Sequence, residues 1–188
     1  MLASKPENKK HSVISFFSGC GGLDLGFIGG FKYAGKSTRR LRFDIKAAYD
    51  NEKKCVETYA LNIATHAETK DLAKLNAKEI PKADVLIGGF PCQDFATCGP
   101  RRGLSSNRGR LYRTLVDYAV THKPKVIVGE NVPGLANMHN GEVLKTIADD
   151  IRSAGYKVEI WTLYAPDYGI PQRRTRLFII GVRENIKG

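Results

Sequence analysis

Apolar residues along this chain fall into short runs, and the spacing within the runs switches between strand-like and helix-like. Ser12–Phe17 is a compact apolar run of strand length, followed by a cluster of glycines and an apolar helix start around Leu23–Phe27. Phe43–Tyr49 predicts a second strand. Glu52–Leu61 then has amphipathic helical spacing, with Cys55, Val56, Tyr59 and Ala60 along one face. The alternation continues through strand Val85–Gly88, helix Leu111–Thr121, strand Val126–Val128, helix Glu142–Ala154, strand Val158–Leu163 and strand Leu177–Val182. Strands alternating with helices predict an α/β fold with a mostly parallel, doubly wound sheet. Ligands of such sheets bind beyond the carboxyl ends of the strands, so residues just after strands are the candidates for chemistry. The stretches without periodicity are Gly29–Arg42, a loop carrying Lys36, Arg39, Arg40 and Arg42, and Asp94–Arg110, rich in Gly, Ser and Arg.

Composition narrows the class. The 188 residues are enough for one domain with a real core, and no repeat, low-complexity tract or linker divides them. We read residues 1–11 as a basic N-terminal tail and 12–188 as the working domain. No apolar run approaches the eighteen or so residues of a membrane span, and the tail lacks a secretory signal's apolar core, so a cytoplasmic location is expected. The formal net charge of +11 favours a polyanionic partner, nucleic acid first, against the plainer reading of a basic soluble surface. Cys20, Cys55, Cys92 and Cys98 form no CxxC pair or Cys/His cluster, so neither a disulfide framework nor a metal site is indicated.

Two sets of residues carry candidate chemistry. Phe16-Phe17-Ser18-Gly19-Cys20-Gly21-Gly22 places glycines between strand and helix, where the backbone turns tightly and approaches a ligand closely; the alternative is a plain tight turn. Asp50 ends the second strand, positioned either to accept hydrogen bonds from two ribose hydroxyls or to cap the following helix. At the second set, a buried strand delivers Gly88-Gly89-Phe90-Pro91-Cys92-Gln93. Cys92 follows a rigid proline with Arg101 and Arg102 nearby to favour thiolate, the setting of a nucleophile, although an inert buried thiol is the competing reading. Glu130 ends the next strand, as a proton donor to a ring nitrogen or as a structural carboxylate. Arg174 and Arg176 share a side if the last strand begins early, to bind phosphate or a carbonyl oxygen, or to guard a solvated sheet edge.

In order and spacing, FFSGCGGLDLGF, GGFPCQDF, GENV and GIPQRRTRLFIIG together resemble the cytosine-C5 DNA methyltransferase family, from about Ser12 to Val182. The resemblance implies a Rossmann-like AdoMet-dependent methyltransferase fold with the last strand antiparallel. It implies S-adenosylmethionine as cofactor: Phe17, Ser18, Gly19, Gly21 and Gly22 would shape its pocket, Asp50 would hold the ribose and Asp71 the adenine amino group. Leu72, Pro91 and Leu111 would line the site, and Asn51 stands where many members stack a large side chain. Cys92, Glu130, Arg174 and Arg176 would surround a cytosine flipped out of duplex DNA. Gln93, Arg101, Arg102 and Asn131 would meet the DNA.

Methylation of DNA at cytosine C5, in a bacterial or phage restriction–modification setting, is the implied function. The alternatives are a tRNA cytosine-C5 methyltransferase and a non-catalytic nucleic-acid-binding fragment. Family members continue past the last motif into a target-recognition region and a final helix, whereas this sequence stops at Gly188. A second chain supplying that region, a shortened chain and a degenerate remnant are the three expectations.

Overall fold

The computed structural model describes residues 9–33, 35–91 and 111–186. The first apolar run forms β1, His11–Phe16, and its period-two alternation feeds two separate cores. Val13 points into one with Ile45, Ala48, Val85 and Ile87. Ile14 and Phe16 point into the other with Leu86, Ile127 and Ile179. Helices follow the same division. Leu23 and Phe27 of α1 (Gly22–Ile28) and Tyr59 of α2 (Lys53–Asn62) pack in the first core. Tyr112, Leu115 and Tyr118 of α3 (Leu111–His122), with Val143, Ile147 and Ile151 of α4 (Glu142–Ser153), fill the second. The buried positions of α4 recur at helical spacing, which gives it one apolar stripe.

Short ladders β2 (Lys32–Tyr33) and β3 (Lys36–Ser37) precede β4 (Phe43–Asp50), followed by β5 (Ala67–Thr69), β6 (Val85–Gly88), β7 (Val126–Asn131), β8 (Tyr156–Tyr164) and β9 (Thr175–Arg183). The main sheet has seven strands in the order β5-β4-β1-β6-β7-β9-β8. The first five are parallel, and β9 runs antiparallel to both β7 and β8. From β1 the chain winds outward to β4 and β5 and then returns to β6 on β1's other side, so the topological switch lies between β1 and β6. Register puts Phe16, Gly88 and Gly129 in one row, so the residues that follow them emerge at one edge.

The elements follow the sequence pattern, with three differences. β7 extends past Val128 to Asn131 because β9 pairs with it as far as Leu177, so Glu130 sits within the strand. The loop expected over Gly29–Arg42 contains the β2–β3 ladder, and Tyr33 donates its hydroxyl hydrogen to the Gly169 carbonyl at 3.1 Å. Three-residue β5 has no counterpart in the apolar pattern, since two of its residues are exposed. Among the described residues no helix is long and apolar enough to cross a membrane.

Candidate active site

Left-handed backbone marks the turn after β1. Phe17, Gly19 and Gly21 have φ of 53°, 52° and 86°, conformations that persist only where the surroundings hold them. Asp50 supplies one such hold: its Oδ2 accepts the Gly19 N–H at 2.8 Å and its Oδ1 the Glu52 N–H at 2.9 Å. The helix cap of α2 is Glu52, whose side chain accepts from the Lys54 N–H, so Asp50 bridges the strand end to the glycine turn instead of capping the helix.

The turn leaves room for a ligand. A Cβ placed on Gly19 or Gly22 would meet nothing within 4 Å. Among the described residues, the Ser18 hydroxyl is the buried side-chain polar atom without a hydrogen-bond partner. An orphaned hydroxyl costs free energy unless something satisfies it. An open cradle, an unpartnered hydroxyl and a carboxylate with lone pairs to spare suit a ligand carrying several hydroxyl or amino groups, so the donor set fits a nucleoside-type cofactor.

Other residues expected at this pocket are spread more widely. Asn51, Asp71 and Pro91 are exposed, and Asp71 accepts the Ala73 N–H at 3.0 Å with Lys74 at 3.4 Å. Leu72 is buried and borders a cavity of about 370 Å3 with Phe16, Leu75 and Thr114, to which Phe17, Gly19 and Asp50 do not contribute. Leu111 opens α3, half-buried.

The second set converges on β7 and β9, with β6 between it and the turn. Arg176 Nε lies 2.8 Å from Glu130 Oε1, and Arg174 Nη2 4.0 Å from the same oxygen. β9 begins at Thr175, early enough to turn Arg176 onto the Glu130 side. Both partners of the closer pair are only about a quarter exposed, at 24% and 25%, so this ion pair is shielded where a surface pair would be screened. Gly89 makes the arrangement possible: a Cβ there would lie 3.1 Å from Glu130 Oε2. Gly129 likewise leaves space for the Phe90 ring, 3.3 Å from where its Cβ would be.

Asn131, expected against DNA, is only 3% exposed and does something else. Its Nδ2 donates to the Phe90 carbonyl at 2.9 Å and its Oδ1 accepts the Val132 N–H at 2.8 Å. Both ends of the amide are thus spent inside the protein, where they tie the end of β7 to the segment entering Pro91. Gly89 and Phe90 belong to the site without having been singled out, and the Gly88-Gly89 pair after a buried strand was the available signal. Cys92, Gln93, Cys98, Arg101 and Arg102 lie outside the described residues.

A model of the C-5 cytosine-specific DNA methylase family matches residues 11–187. The chain belongs to that family. Among its relatives, the type II methyltransferase M.FnuDI of Fusobacterium nucleatum is 37% identical over 174 residues, covering 93% of this chain and 47% of the relative. The type II methyltransferase M.BsuRI of Bacillus subtilis is 37% identical over 194 residues, covering 94% and 44%. The solved structure of the Entamoeba histolytica methyltransferase EhMeth superposes with a TM-score of 0.74 at 24% identity, covering 96% of this chain and 55% of that one, a likeness of fold. The mostly parallel sheet with its antiparallel β9 is thus a methyltransferase fold. The chain spans about half the length of the relatives it matches, and the comparisons lend no support to a separate second chain.

Proposed function

We propose that the chain carries the AdoMet-binding and catalytic half of a DNA (cytosine-5-)-methyltransferase of the restriction–modification kind, and that duplex DNA is its substrate. The observation that carries the reading is the shielded Glu130–Arg176 pair, set beside Gly89 at the same sheet edge as the glycine turn, with β6 between them. Ser18, Gly19, Gly21, Gly22, Phe17 and Asp50 would hold AdoMet, with Asp71, Leu72, Asn51, Pro91 and Leu111 toward its adenine. Bound AdoMet supplies an electrophilic methyl group.

The protein's part is to make C5 of cytosine nucleophilic. The Cys92 thiolate attacks C6 and forms a C–S bond, and the displaced ring electrons move toward N3. Glu130 provides the proton at N3 through Oε2, since Oε1 is engaged by Arg176. Arg176 hydrogen-bonds O2, and Arg174 adds positive charge to the same edge. C5 takes the methyl, which would leave S-adenosylhomocysteine at the cofactor site; C5 then gives up its proton to a base as the C–S bond breaks, and N3 returns its proton to Glu130. C6 is inaccessible in a stacked duplex, so the cytosine must be flipped out, with Gln93, Arg101 and Arg102 on the DNA.

The test offers methyl-tritiated AdoMet with duplex DNA and tRNA in parallel. The reading expects transfer to DNA, recovered as 5-methylcytosine and abolished by Glu130→Gln. Transfer to tRNA alone would contradict it.

A further inference from the structure

Three elements around the glycine turn are joined by a buried string of polar side chains that the proposed chemistry does not use. Ser15 of β1 is 1% exposed, and Asp24 of α1 and Tyr59 of α2 are both 0% exposed. The Ser15 hydroxyl donates to Asp24 Oδ2 at 2.9 Å, the Tyr59 hydroxyl donates to Asp24 Oδ1 at 2.9 Å, and His66 Nε2 lies 2.9 Å from the Tyr59 oxygen. Burial pushes the Asp24 carboxyl up and the two hydroxyls oppose it; burial also pushes the Tyr59 phenol up and the His66 imidazole down. A fully buried carboxylate is costly, and an apolar side chain would pack α1 more cheaply. The string therefore calls for a role besides packing.

Its location supplies one. Asp24 is in the first turn of α1, and Gly21, at φ 86°, is the residue from which that helix starts. The Tyr59 ring lies directly under Gly21: a Cβ there would come within 2.7 Å of Tyr59 Cδ2 and would also clash with Ile63. Tyr59 thus meets the turn twice, with its ring beneath Gly21 and its hydroxyl on Asp24. The strand leading into α2, the helix that carries Tyr59, ends in Asp50, which holds Gly19. A turn with left-handed residues at Phe17, Gly19 and Gly21 keeps that shape only when such contacts over-determine it.

We propose that Tyr59 is a positioning residue for the cofactor, its ring and its hydrogen bond to Asp24 holding the glycine turn in the shape that receives AdoMet. The inference rests on the reading of that turn as the AdoMet site.

Calorimetric titration of the full chain with AdoMet, run well below the melting temperature, tests it. Tyr59→Phe keeps the ring and removes the hydroxyl, and is expected to weaken AdoMet binding roughly tenfold while leaving affinity for DNA unchanged. Ser15→Ala removes the other hydrogen bond to the same carboxylate and is expected to act in the same direction about threefold, which keeps the test open if Tyr59→Phe folds poorly. Glu57→Gln, on the exposed side of α2, serves as the control with wild-type affinity. A lowered melting temperature with AdoMet affinity within about twofold of wild type in both variants would make the string purely structural and overturn the inference. If the wild-type chain itself fails to bind AdoMet, the proposed function falls, and the inference falls with it.

Discussion

In the proposed reaction Glu130 and Arg176 serve each other and a substrate at once, and the atoms are apportioned accordingly. Arg176 uses Nε on Glu130 and Nη1 on the Thr175 carbonyl, at 2.8 Å each, which leaves its second Nη for a carbonyl oxygen. A lysine has one charged nitrogen on a flexible stem and cannot make this fork. Arg176→Lys is therefore expected to slow methyl transfer by roughly 100-fold or more with AdoMet affinity unchanged, read by single-turnover transfer beside calorimetry. Equal losses in both would place Arg176 at the cofactor instead.

Placement was legible in the sequence at strand ends: Asp50 closes β4, Glu130 lies near the end of β7, and Arg174 and Arg176 stand at the start of β9. It was not legible where partners came from distant elements. Asp24 at a helix start looks like an ordinary favourable charge near an N-terminus. Only the fold brings Tyr59 to within 2.9 Å of it. The partner of Asn131 was out of view for the same reason: the Phe90 carbonyl lies just beyond the end of β6.

Among the elements, the catalytic edge depends on β1, β6 and β7 staying in register, and a clamp at their opposite ends secures this. Asp84, just before β6, accepts the Ser12 N–H and hydroxyl at 3.1 Å each and lies 3.0 Å from Lys125 Nζ. Burial alone would raise the Asp84 pKa, but the hydrogen bonds from Lys125 and Ser12 outweigh it and hold the carboxyl at about 2. A carboxyl depressed in the folded state contributes its stability above the unfolded value and loses it as pH falls toward the folded one. With solvent screening at the half-exposed Lys125, Asp84 is thus worth on the order of 1 kcal/mol at neutral pH, lost between about pH 4 and pH 2. Urea unfolding across that window should show wild type and Asp84→Asn converging at the acid end; a constant gap would mean that Asp84 acts through packing.

Element identity was otherwise readable from spacing, because β6 is buried throughout and α4 carries one apolar stripe. The pattern gave a shorter strand where pairing, and not burial, defines its ends: the spacing predicts Val158–Leu163, and β8 runs Tyr156–Tyr164. β8 is mostly exposed and its extent is set by the ladder to β9, from Tyr156 opposite Arg183 to Tyr164 opposite Thr175.

Across the whole molecule, a formal net charge of +11 on 188 residues would give the proposed DNA binding a large counterion-release component. Arg101 and Arg102 are proposed to neutralise phosphates, and removing one such charge should lower the salt slope by about 0.9. Changing both to alanine should therefore reduce the slope of log K against log salt by about 2 for any duplex sequence, measured by fluorescence anisotropy. An unchanged slope would remove that segment from the DNA interface.

Cys92, Glu130 and Arg176 are proposed to act on one cytosine. Incubating the full chain with AdoMet and duplex DNA containing 5-fluorocytosine tests it most directly, because fluorine at C5 cannot leave as a proton does and the cysteine stays attached. The account predicts a denaturation-resistant protein–DNA adduct, mapped by mass spectrometry to Cys92, absent in Cys92→Ala and strongly reduced in Glu130→Gln. An adduct that persists in Cys92→Ala, or none with the wild-type chain, would contradict it.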